Sequence, residues 1–210
     1  MTTPSMTLYH SPLSPFVRKV TVFLHETGQF DRVALNTINM SPVNPDAGLN
    51  RDNPVGKIPA LVLGNGTVLH DSRVILEYLD LQHVGNPLIP REGDARWRRL
   101  SLASQADAIM DASVLARYEQ FLRPAEKQWD EWLTAQQEKI RRGLADFEAE
   151  HIAELASVFD VAAIGAACAL GYIDLRMPNF GWREQQPKLA AWYAQVSQRP
   201  SMKLTAPPAA

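Results

Sequence analysis

SPLSPFVRKV, Ser11 to Val20, is the stretch on which the fold turns. Before it lies a short apolar run, MTLYH (Met6 to His10), and after it an amphipathic run, FVRKVTVFLHETG (Phe16 to Gly28). A strand that gives way to helical spacing across a Ser-Pro pair is a β-to-α turn. Ser14 before Pro15 is a preferred helix start. Its hydroxyl accepts a bond from an unpaired backbone N–H, and the N–H that proline lacks has no intrahelical partner there. The same place suits a second use, because free N–H groups and the helix dipole favour negative charge, including that of a thiolate. The local sequence leaves both uses open.

Outward from this turn the first third of the chain alternates strand-like and helix-like segments. MTLYH reads as a strand and Pro15 to Thr27 as a helix closed by Gly28. RVALNTI reads as a second strand, and PALVL and TVLH as two more joined across GNG. Ser72 to about His83 has helical spacing. The order β-α-β then β-β-α implies a small sheet with helices packed on it. VGNPLIPREG, with two prolines and two glycines, breaks the pattern and reads as a linker. Beyond it strand signals vanish. Trp97 to about Leu122, Ala125 to about Glu150, Val158 to about Leu175 and Pro187 to about Arg199 read as helices, with Pro124, the MPNFG turn and Pro200 as breaks. The expected organisation is an α/β domain over 1–83, a linker over 84–92 and an all-helical domain over 93–210, with the tail LTAPPAA loose.

Composition narrows the partners. Of 210 residues 46% are hydrophobic, enough for a real core, and 21 Lys+Arg against 23 Asp+Glu give a net charge of -2. No stretch concentrates basic residues as nucleic acid or an anionic membrane requires. The first ten residues, MTTPSMTLYH, lack a basic start followed by a roughly 7–15-residue apolar run, and nowhere do about 18 apolar residues stand together. A cytoplasmic protein is the expectation. Cys168, the single cysteine, lies among small apolar residues in IGAACALGY and reads as a core residue. The five histidines, His10, His25, His70, His83 and His151, show no i, i+4 pair and no zinc spacing, so no metal is expected. KIRRGLADFEAE reads as a solvated helix face.

Two further stretches carry candidate chemistry. NPVGKIPAL, Asn53 to Leu61, places Pro59 between a loop and the start of a strand, where either isomer of its peptide bond is compatible with the pattern. LHDSRVILEYLD, Leu69 to Asp80, places Ser72 as N-cap with Asp71 just before it. That pair is a good cap, and also a recognition pair in which a serine hydroxyl and N–H hold a carboxylate while an aspartate faces an ammonium.

Taken in order and followed by a helical domain, these stretches resemble the glutathione S-transferase family over nearly the whole chain. SPFVRK is similar to the Ser-Pro-Phe signature of serine-type members, NPVGKIPAL to the loop and cis-proline region, and DSRVILEYL to the acidic-Ser pair that opens a helix, with Asp where many members carry Glu. SVFDVAAIGAACALGYIDLR resembles the family's late core helix, its Ser-x-x-Asp capping box here Ser157 and Asp160. The resemblance implies a thioredoxin-like domain followed by an all-helical one, and a cytosolic homodimer. It makes Ser14 the hydroxyl that hydrogen-bonds the sulfur of glutathione, the co-substrate. Ile58 would pair its main chain with the cysteinyl backbone beside a cis Pro59, Asp71 and Ser72 would take the γ-glutamyl end, and Lys57 would reach the glycyl carboxylate. Ser11 and Tyr9 compete for the sulfur. Glutaredoxin-like relatives carry Cys-x-x-Cys where this chain has Ser14 and Val17, so dithiol exchange is excluded at this position.

The second substrate, a hydrophobic electrophile, is expected beside the long helix after the linker, whose Met110, Val114, Tyr118 and Phe121 fall at 3-to-4-residue spacing and serve equally as core positions. Asp107, one turn earlier, is a candidate contact to the glutathione of a neighbouring subunit. The resemblance implies glutathione transfer to an electrophile, with detoxification as the usual setting. A glutathione-binding carrier with little catalysis is the alternative, and a protein-interaction role a third.

Overall fold

β1, Met6–His10, lies at the centre of a small mixed sheet because each of its neighbours in sequence returns to it. The computed structural model describes residues 5–208. After β1 the chain forms helix α1 (Pro15–Glu26) and returns as β2 (Val33–Thr37), parallel to β1. A short helix α2 (Ala47–Asp52) precedes β3 (Ala60–Leu63), which runs antiparallel to β1 and turns into β4 (Val68–Leu69). The strand order is β2-β1-β3-β4. The β3–β4 turn closes with Leu63 N donating to the Thr67 carbonyl (2.8 Å) and with Gly66 at φ 84, a left-handed conformation that glycine adopts at no steric cost. Helix α3 (Ser72–Asp80) follows and packs against α1 and β3. Leu8, Val20, Phe23, Leu24, Leu61, Ile75 and Leu79 are fully buried and form much of this core.

The described chain divides into two compact units. The first runs to Arg91 and takes in the last helix, α10 (Pro200–Leu204); the second is Glu92–Arg199. The sequence pattern places everything after residue 92 in the helical domain, with Pro200 as a stop. The segment is instead a short helix packed on α1. Arg18 Nη2 donates to the Met202 carbonyl (3.1 Å) and Ser201 Oγ to Glu26 Oε1 (2.5 Å). Proline punctuates in both directions, since it ends a preceding helix and suits the first turn of the next.

The second unit consists of α4 (Gly93–Phe121), α5 (Asp130–Asp146), α6 (Ile152–Ser157), α7 (Val161–Arg176), α8 (Trp182–Gln185) and α9 (Pro187–Val196). Every residue of α7 from Val161 to Ile173 is buried, including Cys168, so α7 is the central helix and apolar on all sides. Small residues let the helices of this unit close in on one another. A Cβ on Gly165 would stand 3.1 Å from Ala106 Cβ on α4, and one on Gly143 of α5 would stand 2.8 Å from Ile109 Cγ1. The stretch expected as one helix from Ala125 to Glu150 is a 3-10 turn at Ala125–Lys127, then α5, then a π-helical segment Phe147–His151 leading into α6. The Ser157–Asp160 capping box is also corrected. Ser157 ends α6 and donates its hydroxyl back to the Glu154 carbonyl (2.7 Å), while Asp160 is the cap of α7, accepting from Ala162 N (3.0 Å) and Ala163 N (3.3 Å) and holding Arg99 in a buried pair.

Candidate functional site

Strand register brings the candidate residues to one end of the sheet. Tyr9 stands opposite Ala60, so the C-terminal end of β1 meets the N-terminal end of β3; Leu61 stands opposite Leu69, so β4 ends at that same edge. The turn into α1 with Ser14, the Lys57-Ile58-Pro59 segment before β3 and the Asp71-Ser72 start of α3 therefore gather there, although about 45 positions of sequence separate the first from the second. All lie within the first unit.

At the turn, Ser14 has extended backbone (φ -89, ψ 122), and its Oγ accepts the Val17 N–H at 3.3 Å as the N-cap of α1. A hydroxyl has one proton to give and two lone pairs. The cap occupies one lone pair, so the proton remains available to an acceptor at the head of the helix. Pro15, at N1, is buried and fixes the direction of that first turn. Ser11 stands at the other end of the same turn, its carbonyl accepting Ser14 N–H (3.1 Å), and caps no helix.

Tyr9 is otherwise engaged. Its ring is 5% exposed, in a cluster with Leu49 and Ala60 on which Ile38, Met40 and Ile58 pack, and its phenol donates to Asp52 Oδ2 (2.7 Å). Burial first, and then the bond to Asp52, push its pKa above the ordinary 10, so the phenol stays protonated and committed to that carboxylate. Among the three competitors for a bound sulfur, Ser14 alone combines a helix start with a hydroxyl proton not already placed. His10 pairs through Nδ1 with Thr37 Oγ1 (3.0 Å), and burial lowers its pKa, so it is neutral near pH 7.

The loop before β3 is held by a residue the sequence reading passed over. Asn53 is buried. Its Nδ2 donates to the Lys57 carbonyl (2.7 Å), its Oδ1 accepts Val55 N–H (3.4 Å), and its own carbonyl accepts Gly56 N–H (2.8 Å). The NPVG signature was legible as a loop, and a buried asparagine that hydrogen-bonds its own loop is the signal within it. The loop leaves the Lys57 side chain exposed, Ile58 half-buried and Pro59 buried, with the Ile58–Pro59 peptide bond cis. At α3 the sequence expectation is again corrected. The N-cap is Asp71, whose Oδ1 accepts Arg73 N–H (2.9 Å), and Ser72 is the first helical residue, with its side chain buried. Asp71 itself is exposed, and its cap bond engages one of its two carboxylate oxygens.

In the second unit the stripe on α4 is mixed. Met110 is fully buried and belongs to the core, Val114 and Tyr118 are half-buried, and Phe121 is 65% exposed. Asp107 is buried. Among the described residues no group of three or more His, Cys, Asp or Glu is placed to hold a metal ion, and no helix is long and apolar enough to cross a membrane.

Residues 8–87 match the family model of the glutathione S-transferase N-terminal domain, and residues 130–195 that of the C-terminal domain. The chain belongs to the glutathione S-transferase family. The uncharacterized GST-like protein YibF of Escherichia coli K12 is 36% identical over 207 residues, spanning 98% of this chain and 100% of that one. A glutathione transferase family member from Pseudomonas fluorescens Pf-5, solved with bound glutathione, is 68% identical, covering 97% of this chain and 100% of the other at a TM-score of 0.96. A structure of a family member from the same source with bound S-(propanoic acid)-glutathione aligns at a TM-score of 0.92 and 65% identity, covering 97% of this chain and 100% of that one. The sheet, its flanking helices and the helical second unit are those of the glutathione S-transferase fold.

Proposed function

We propose that this transferase-family chain binds glutathione at the sheet end described above, holds it as a thiolate through Ser14, and transfers it to an electrophilic small molecule. The observation that carries the reading is the state of the Ser14 hydroxyl: it accepts from Val17 N and keeps its proton for a sulfur at the head of α1. Around it, the main chain of Ile58 beside the cis Pro59 pairs with the cysteinyl backbone. Asp71 faces the γ-glutamyl ammonium with the oxygen its cap leaves over, the start of α3 at Ser72 receives the γ-glutamyl carboxylate, and the exposed Lys57 reaches the glycyl carboxylate. The Pseudomonas relative solved with glutathione supports the ligand, and the one solved with a thioether of glutathione supports chemistry at sulfur.

The energetics suffice. A free thiol titrates near pH ~8.5, and lowering that by ~2 units corresponds to ~2.7 kcal/mol. A hydrogen bond to a charged group contributes ~1.5–3 kcal/mol and a helix terminus ~0.3–1. Together they supply the shift without a general base. The thiolate attacks the electrophilic carbon, the carbon–sulfur bond forms, and in a substitution the leaving group departs with its electron pair. The protein acts as a cytoplasmic homodimer in this reading.

Turnover of an aryl halide with glutathione tests it. Ser14→Ala should lower turnover near pH 7 by about tenfold, the fall in thiolate fraction when the thiol pKa returns most of the ~2 units, while circular dichroism stays unchanged. Full turnover in the folded variant would remove the role given to Ser14. Ser14 is also a sufficient cap on structural grounds alone, which favours the second reading, a glutathione carrier; tight glutathione binding with no turnover on any electrophile would decide for it.

A further inference from the structure

Inside the helical unit, two arginines lie within electrostatic reach of each other. Arg117 on α4 and Arg176 at the end of α7 are near enough to interact electrostatically, and Tyr118 and Tyr172 lie in the same field. Arg176 Nε is buried and has no hydrogen-bond partner. Neither guanidinium forms an ion pair with a carboxylate among the described residues. The nearest acids in sequence are already committed. Asp174 is held by both Arg183 nitrogens (2.5 and 2.6 Å) and by Trp182 Nε1 (2.9 Å), and Glu119 accepts from Arg123 (2.8 Å) and from Trp129 N (2.9 Å).

Burial, together with the neighbouring Arg176, pushes the Arg117 pKa down, and burial pushes that of Tyr172 up to about 12. Both phenols therefore remain neutral donors, and two like charges stand together at a cost that an anion would relieve. The surroundings are apolar. Arg117 lies over the Phe121 ring, 4.0 Å from its centroid, and Val114 and Tyr118 continue the same stripe.

We propose that Arg117, Arg176, Tyr118 and Tyr172 form a binding site for the carboxylate of a small aromatic acid, and that this acid is the electrophilic co-substrate. The site stands on its own geometry; its assignment to the electrophile rests on the transferase reading. A planar carboxylate takes the unused Nε–H of Arg176 together with an N–H of Arg117, the phenols add neutral hydrogen bonds, and the ring lies along Phe121 and Val114.

The experiment has two arms. In the first, 4-nitrobenzoate is titrated calorimetrically into the full chain without glutathione. The expected result is saturable binding weakened about tenfold in Arg117→Gln and in Arg176→Gln, and less in Tyr118→Phe, a change of one hydroxyl that leaves the packing intact. Inhibition of this binding by equal inorganic phosphate, or affinity unchanged in Arg117→Gln and Tyr118→Phe, would overturn the site. In the second arm, turnover of 4-chloro-3-nitrobenzoate is compared with that of its methyl ester. The arginine variants should raise KM for the acid about tenfold and change that for the ester much less. An equal loss on acid and ester would overturn the electrophile assignment. Arginine-dependent binding with turnover of neither compound would retain the anion site and defeat the transferase reading, so the two failures are distinct.

Discussion

At the head of α7, Asp160 spends its whole hydrogen-bonding capacity on structure: it accepts two backbone N–H groups and holds the Arg99 guanidinium, all of it buried. At the head of α1, Ser14 accepts one N–H at 3.3 Å, is partly exposed, and has a proton left over. The two residues obey the same local rule, that a short polar side chain satisfies an orphan N–H at a helix start. They differ in saturation. A cap with every lone pair and proton placed is a fastener, whereas a cap with one donor unplaced at the positive end of a helix is equipment for binding negative charge. Asp71, exposed and capping through a single oxygen, is also unsaturated, but what it has left over is an acceptor, which equips it for a cation.

This contrast can be broken from either side. The largest expected effect is at the saturated cap. Asp160→Ala leaves Arg99 buried and unpaired, and denaturant unfolding should show a loss of about 3–5 kcal/mol. A loss under about 1 kcal/mol, the size of a simple cap, would mean that Arg99 is not held by this carboxylate. Asp71→Ala should cost about 0.5–2 kcal/mol as a cap and also raise the Kd for glutathione; unchanged calorimetric affinity would reduce Asp71 to a fastener. Tyr9→Phe should cost about 1 kcal/mol through the lost bond to Asp52, with aryl halide turnover within about twofold of the parent. A severe loss of turnover would reinstate the phenol as the sulfur contact.

The smallest effect is one of pH. Arg98, which donates to Glu154 across 2.6 and 2.5 Å, leads the causes that hold the Glu154 pKa down at about 2, against 4.5 ordinarily. A depressed carboxylate pKa contributes stability that is fully present above the unfolded value and lost as pH falls through the folded one. The α6–α7 corner should therefore lose stability between about pH 4.5 and 2, and Glu154→Gln should flatten that part of the acid profile.

The elements of the first unit were legible because their signals are local. MTLYH alternates, Pro15 opens α1, and Gly28, at φ 66, follows its end. Helix α2 escaped notice because six residues carry too little periodicity, though Asp46 caps it through the Leu49 N–H (2.7 Å). The two misassigned caps share one cause. Serine and aspartate rank almost equally as caps, so where they stand close together the sequence does not choose. At α7 the buried Arg99, far away in sequence, favours Asp160 over Ser157; at α3 Asp71 caps and Ser72 turns inward. The candidate site was legible as three motifs but not as a place, since only strand register shows that they share one sheet end. The Arg117 and Arg176 pair was not legible at all. It arises from α4 packing on α7, and each arginine by itself reads as an ordinary surface cation.

The central claim is that Ser14, an unsaturated cap, acidifies the sulfur of bound glutathione. Ultraviolet titration of the thiolate in the complex tests this directly, with Ser14→Ala alongside. The account expects a bound thiol titrating ~2 units below its free value of ~8.5, and a return most of the way in the variant. A bound thiol that titrates like free glutathione, or a depression equally deep without the hydroxyl, would contradict it.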